Sequence, residues 1–450
     1  MIRNFQSASR LHGIWFWVVR LGPAFFLHVT LLFVVLPQFS NALSPRYGIG
    51  FADDYDKLAN SLLQGYGYRF GPDLAETMMR EPGYPVFLAG VFSVFGNSLE
   101  SARYANLMLA IGIVIMIVRM ARIVSTDPAV PLVASLLFLL HPGILIAEAR
   151  AGVEMFFIFL LMIFMLTLQK ATEAGRVRHY FVAGVALGAV ILTRGTPILF
   201  PFLLLLYLIV TSRTWQKRWR QVAHVGALVL AAALVISPWV VRNYMLVNEF
   251  VPTATVQGVA AQRGQYICKH MSFERGIREL DREAAGECNA LASKLGYAFQ
   301  GGYYQYFFRS KDELDFNRRL LRTAMDEYYQ DPMLFVRCAS MNLFNFWFSG
   351  KRWQETWLNM VLQLPFVLIA LAGAYLLWKR SQLKQAAVIL LFILYLYAVH
   401  VPVHAQARYS IPLVPFLAIL ASIAIVNFWR IWQRKADDTI TIDQKNIYDV

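Results

Sequence analysis

The chain alternates long apolar blocks with short polar joints. Blocks at about 22–40, 104–120, 130–147, 152–169, 180–193, 197–211, 222–241, 357–378, 386–401 and 410–429 reach or approach the ~20 residues that a membrane helix needs. Only helices and closed barrels can span lipid, and blocks of this length are helical. The pattern predicts an all-α polytopic membrane protein with about ten transmembrane helices. One further run, 84–96, is short and is assigned to the interface; if it spanned, every later loop would change side.

Two stretches interrupt the blocks. In 41–103, Tyr55, Leu58, Ala59, Leu62 and Leu63 recur at helical spacing, and Gly65 and Gly67 follow as a stop. Such a helix lies in the interface plane and holds Asp53 and Asp54 at its start. Asp54 stands where a helix N-cap is expected. The second stretch, 243–355, is too short for a large soluble domain and predicts a few helices over the membrane face. Within it, 333–348 reads as an interfacial or re-entrant helix. The expected organisation is a transmembrane core over 1–242 with external loop 41–103, an extracytoplasmic segment over 243–355, transmembrane helices over 356–435, and a flexible cytoplasmic tail over 436–450.

Composition agrees. The 450 residues are 58% hydrophobic and 16% charged, against about 25% charged in soluble domains. The net charge of +14 does not point to nucleic acid, for which no motif is present. Its basic residues cluster in short loops: Arg119 and Arg122; Lys170, Arg176 and Arg178; Arg213, Lys217, Arg218 and Arg220; Lys379, Arg380 and Lys384; Arg430, Arg434 and Lys435. With the N-terminus inside, all of these loops are cytoplasmic, as the positive-inside rule requires. Arg3, Arg10 and Arg20 precede an apolar run ending near Ser40 that resembles an uncleaved signal anchor. Three cysteines make no disulfide framework; Cys268 and Cys288 share the outer segment and could bridge, and Cys338 reads as a packing residue.

This topology gathers Asp53, Asp54, Arg80, His141, Glu148, Arg150, Glu154, Arg194, Arg242, Asn243, His404 and Arg408 on the outer side. Ionisable residues at span ends are costly unless paired or wet. Both signs on one face suggest an anionic substrate with an acid–base group beside it. A carboxylate suits proton abstraction, and the planar fork of arginine suits phosphate. Glu154 enters an apolar span and faces either a cavity or Arg150 at i+4. His141 and His404 read as buried, hydrogen-bonded histidines, and no HExxH-type metal spacing is present.

The first loop, with its acidic pair, Tyr55, "GYGY" and "REPGYPVFLAG", resembles that of the GT-C membrane glycosyltransferases, which include protein O-mannosyltransferases and aminoarabinose transferases. "LTRGTP" at Arg194, "PWVVRN" at Arg242 and Asn243, and "ARYSIP" at Arg408 and Tyr409 are similar to motifs of that superfamily. The resemblance covers about 45–245 and 400–425 and is thin over 255–330. It implies a GT-C-like fold and transfer of a sugar, with inversion, from a polyprenyl-phosphate donor to a lipid, glycan or protein acceptor on the extracytoplasmic face of the cell membrane. It implies catalytic roles for Asp53, Asp54 or Glu154, with Asp53 as the base. It implies substrate binding by Arg80, Tyr84, Arg194, Arg242, Asn243, His404, Arg408 and Tyr409. Arginines can stabilise a monophosphate leaving group without a metal, so no cofactor is expected, a divalent metal at a loose carboxylate–histidine site being the alternative, and no Gly-rich nucleotide loop is present on the inner side. The expected partners are the lipid-linked donor, the acceptor and membrane lipids. Two alternatives are a flippase of lipid-linked sugars, which also needs intramembrane charges, and a non-catalytic scaffold, which gives the converging charges no reason.

Overall fold

The computed structural model describes residues 19–35, 38, 50–271, 277–350 and 352–448, with side chains as far as Arg434. Expectations for 1–18 and 39–49 lie outside the described residues. Among the described residues the protein is a helical membrane bundle. Six helices are long and apolar enough to cross a membrane: Leu99–Val124, Glu154–Ala174, Trp215–Val247, Trp353–Lys379, Leu383–His400 and Ala407–Arg434. The block at 130–147 is a bent pair, Ala129–Leu139 and Pro142–Ala149, broken by 52°. Proline at 142 allows no continuous helix through His141, because it removes a donor and disfavours α-geometry before it. The remaining blocks are the shorter apolar helices Val19–Val35, Val177–Thr193 and Thr196–Val210. Gly83–Phe95 has 13 residues, about 20 Å of helix against a hydrocarbon core of about 30 Å.

Small residues let the spans approach closely. A Cβ on Gly184 would meet the Leu228 carbonyl oxygen at 2.2 Å, and one on Gly188 would meet Val235 at 2.6 Å. Two glycines four apart thus seat Val177–Thr193 against Trp215–Val247, as in membrane helix pairs generally. One continuous apolar core runs through the spans and includes Phe138, Phe157, Phe200, Phe392 and Phe416.

The amphipathic helix forms over Tyr55–Leu63. Tyr55, Leu58 and Ala59 are buried, but Leu63 is exposed. Gly65 and Gly67 follow with φ of 77° and 84°. Segment 243–355 folds as Gln257–His270, Ile277–Lys294, Ser310–Gln330 and Pro332–Phe348. A two-residue antiparallel hairpin pairs Phe299 with Phe307 and Gln300 with Tyr306.

Two expectations are corrected. The disulfide joins Cys268 to Cys338, with Cα atoms 5.4 Å apart, and Cys288 is free and buried. Cys288 faces Gln262, donating to its Oε1 at 3.1 Å, and packs with Val259 and Phe316. Cys268 lies on a different face of the same helix as Gln262, turned toward Pro332–Phe348. The last helix runs Val414–Tyr448 and so extends into the 436–450 tail. Arg150 and Glu154 do not share a helix, because one helix ends at Ala149 and the next begins at Glu154.

Candidate active site

Backbone strain marks the first loop. Asp53 and Asp54 are consecutive non-glycine residues with φ of 59° and 58°. Left-handed backbone costs a side-chain-bearing residue about 1–2 kcal/mol, and such strain concentrates at functional sites. The surroundings fix it. Phe51 forms a parallel bridge with Ala151, Ala151 N donates to Gly50 O at 3.0 Å, and Ala52 N donates to Ala151 O at 3.3 Å. The turn that leads to Glu154 is therefore stitched to the strand-like segment that leads to Asp53.

Asp54 occupies the N-cap position without capping, since its side chain accepts no hydrogen bond from the helix backbone. The left-handed turn points it away: it accepts from Tyr306 Oη and pairs with Lys57 at 3.0 Å. Asp53 turns inward, with its side chain 15% exposed, and pairs with Arg408. It also accepts from Tyr304 Oη at 3.2 Å and lies 3.9 Å from Arg80 Nη2. Arg408 bridges onward to Glu154. Burial pushes the Asp53 carboxyl up, but the Arg408 and Arg80 guanidiniums outweigh it and hold the group well below the usual carboxylate range. Burial lowers Arg80, yet Tyr304, Tyr55 and Asp53 outweigh that and hold it firmly protonated.

The two loop motifs interlock. Glu81 Oε1 accepts from Gly195 N at 2.8 Å. A Cβ on Gly83 would meet Thr193 Oγ1 at 2.6 Å and Leu192 O at 2.8 Å, so "REPG" seats on "LTRG" only with glycine there. This places Arg80 and Arg194 on the same wall. The Arg194 guanidinium lies 4.8 Å from the Tyr409 ring centre, a cation–π distance.

Four arginines (Arg80, Arg150, Arg194, Arg408) and three carboxylates (Asp53, Glu81, Glu154) thus act on one another. With Asp54 offset by Lys57, the cluster keeps one positive charge in excess. Arg80 Nε and Nη2 and Arg150 Nε are buried without a hydrogen-bond partner. Buried donors left unpaired are expensive and call for a ligand or another explanation.

The remaining expected residues lie elsewhere or play other parts. Tyr84 is fully buried and packs edge-on against Tyr55 at 5.1 Å. His404 is buried, bonds Gln406 at 2.9 Å and meets Tyr409 edge-on. Arg242 is engaged with Glu76 at 3.1 Å and Thr77 O at 2.8 Å. Asn243, fully buried, donates to Val251 O at 3.0 Å. Arg242 ties the end of its span to loop 68–78 and Asn243 ties it to Val251, and neither joins the Asp53 cluster. His141 caps Pro142–Ala149 by accepting from Gly143 N at 3.1 Å. Among the described residues, no three His, Cys, Asp or Glu side chains form a metal-ion set.

Sequence reasoning missed Glu81 and the hairpin tyrosines. Tyr304 and Tyr306 reach the aspartate pair from some 250 positions away, and Arg263 lies 5.0 Å from the Tyr304 ring. The one signal available was the density of tyrosine in GGYYQYFF.

Comparison with known proteins bears out the GT-C resemblance. Residues 80–241 match the family described as "Dolichyl-phosphate-mannose-protein mannosyltransferase". Over 219 residues, 47% of this chain, the sequence is 27% identical to the undecaprenyl phosphate-alpha-4-amino-4-deoxy-L-arabinose arabinosyl transferase of Pseudomonas aeruginosa strain UCBPP-PA14. It matches that of Pseudomonas paraeruginosa at the same identity and extent. The matched part spans 39% of those relatives' own length. Crystal structures of ArnT from Cupriavidus metallidurans, bound to undecaprenyl phosphate and in the apo state, align over 82% and 81% of this chain and 72% of theirs. Their identities are 15% and 16%, and their TM-scores are 0.37 and 0.35.

Proposed function

We propose that this chain, akin over residues 80–241 to the membrane mannosyltransferases, is an inverting glycosyltransferase. It moves a sugar from a polyprenyl-phosphate donor to an acceptor hydroxyl on the extracytoplasmic face of the cell membrane. The observation that carries this reading is the arginine cluster, with one formal positive charge in excess and with buried nitrogens of Arg80 and Arg150 that lack a hydrogen-bond partner within the protein. A phosphodiester carries one negative charge, and guanidinium forks match its oxygens.

In the mechanism, Arg408 and Arg80 bind the donor phosphate, and Arg194 and Arg150 complete the electrostatic wall. Engagement of Arg408 by phosphate loosens its hold on Asp53. This matters chemically, because a carboxylate held far below the usual range is a weak base. Freed of that partner, Asp53 takes the proton of the acceptor hydroxyl. The acceptor oxygen attacks the anomeric carbon from the face opposite the phosphate, and the bond from that carbon to the phosphate oxygen breaks. Polyprenyl phosphate leaves with the electron pair, and the arginines stabilise the added charge. Glu154 keeps Arg408 oriented through the exchange, and Tyr304 orients Asp53. Tyr409 and His404 line the side toward the outer segment. The reaction as proposed needs no metal.

We place both termini inside and loop 41–103 and segment 243–355 outside, with ten spans. Two features support this. Basic clusters fall in the loops placed inside, and the Cys268–Cys338 bridge suits an oxidising compartment. The test is transfer of labelled sugar from a synthetic polyprenyl-phosphate sugar by the purified protein. Movement of intact lipid-linked sugar without transfer would favour a flippase instead.

A further inference from the structure

One buried titratable pair has no part in this mechanism. His28 lies on the first apolar helix and Glu148 near the end of Pro142–Ala149. Both are fully buried, with His28 Nε2 2.7 Å from Glu148 Oε2. The other ring nitrogen, Nδ1, lies 2.6 Å from the carbonyl oxygen of Leu139. Leu139 ends the first half of the broken span, where carbonyls lack intrahelical partners. A carbonyl only accepts, so Nδ1 carries a hydrogen. The Nε2–Oε2 contact then holds one further proton, either as imidazolium facing carboxylate or as carboxylic acid facing neutral imidazole. Both forms have no net charge, which makes the pair tolerable among apolar side chains.

The backbone beside Glu148 is held as firmly. Asn106 Nδ2 donates to Glu148 O at 3.1 Å, and Arg103 Nε donates to Ala149 O at 3.1 Å. Two residues later Ala151 makes its bridge to Phe51, which leads directly to Asp53. The turn packs closely on both the Glu154 side chain and the Asp53 segment: a Cβ on Gly152 would meet Glu154 Oε2 at 2.4 Å and touch Ala52 Cβ at 3.4 Å.

We propose that His28 and Glu148, sharing one proton, are positioning residues that close the break in the third span. They hold turn 150–153 in register with 50–53, so that Asp53 and Glu154 meet Arg408. The proposal rests on the glycosyltransferase reading, and neither residue touches substrate. Of the charged groups on the elements packed around the pair, Arg103 donates to Ala149 O and Glu154 pairs with Arg408; the Leu99–Val124 helix also carries Glu100, Arg119 and Arg122, and the His28 helix carries Arg20. Ala129–Leu139 carries no charged residue.

The experiment compares full-length wild type, Glu148→Gln and Glu148→Leu in lipid nanodiscs, reading sugar transfer across pH and affinity for polyprenyl phosphate. In Glu148→Gln an amide N–H donates to Nε2 of the neutral ring, so the tie survives without the shared proton. That variant should stay within a few-fold of wild type. Glu148→Leu leaves Nε2 unpaired and should lose about 10²-fold in kcat with a much smaller change in donor affinity, the scale expected when reacting groups are slightly misplaced. At alkaline pH the shared proton leaves, a lone pair then faces a carboxylate, and wild-type kcat should fall; Glu148→Gln should lack that fall. Wild-type kcat in Glu148→Leu overturns the proposal, as does an alkaline fall in Glu148→Gln identical to that of wild type. If Glu148→Leu does not fold, the comparison of the other two pH profiles decides. Absence of transfer in wild type overturns the glycosyltransferase reading itself, a result distinct from either.

Discussion

Asp53 and Arg408 stand 355 positions apart in the chain and form an ion pair at the centre of the site. The same guanidinium holds Glu154, so the first loop, the fourth block and the last helix meet at one side chain. In the proposed mechanism this single arginine exchanges one of its two carboxylates for phosphate. Removing it should strip donor affinity. Arg408→Ala is expected to weaken polyprenyl-phosphate binding by about 1.5–3 kcal/mol, the scale of a charge-assisted hydrogen bond. Arg408→Lys should recover only part, because the fork is lost. Isothermal titration or a lipid-binding assay checks both, and unchanged affinity would leave Arg408 as a purely structural bridge.

In the proposed mechanism arginines supply the positive charge, so exhaustive chelation should leave transfer unchanged. The check is activity after dialysis against EDTA, with and without added magnesium or manganese. Strict dependence on a divalent ion would contradict the proposed mechanism.

Burial pushes the His404 imidazole down to about 4, against the opposing pull of Asp281 and with help from Arg263. A depressed histidine contributes stability that is complete above its ordinary value near 6.5 and is lost as pH falls toward the folded-state value. The melting temperature should therefore drop between about pH 6.5 and 4, and less steeply in His404→Gln. Parallel curves for the two proteins would assign the acid sensitivity to other groups.

Much of this was legible in the chain. Apolar runs of spanning length marked the helices, because in lipid the backbone must satisfy itself. Asp53, Arg80, Glu154, Arg194 and Arg408 could be picked out because charge at a span end is too costly to be idle. The partnerships were not legible. Arg242 sits in a motif like those of Arg194 and Arg408, yet Glu76 and Thr77 occupy it. Nothing local distinguishes an arginine bound by a nearby loop from one left for a ligand. Tyr304 and Tyr306 were missed because a hairpin with two-residue strands carries almost no periodic signal. The cysteine pairing failed for a related reason: Cys288 is nearer to Cys268 in sequence, but helix phase turns Cys268 toward Cys338.

The orientation is tested by labelling from outside. An impermeant thiol reagent should tag Asp73→Cys, in the exposed part of the first loop, and miss Lys217→Cys, in a basic joint placed inside. The reverse pattern would invert the topology and move the site to the cytoplasmic face.

In the proposed sugar transfer from a polyprenyl-phosphate donor, Asp53 takes the acceptor proton. Asp53→Asn keeps the side chain's size and removes its charge. The decisive measurement is the single-turnover transfer rate of wild type and Asp53→Asn at saturating donor, with donor affinity measured on the same preparations. Wild type should transfer sugar, and the variant should lose about 10²–10⁴ in rate. Donor affinity should be retained or tighter, since Arg408 is then released from its carboxylate. Equal rates in the two proteins, or no transfer by wild type, would contradict this proposal.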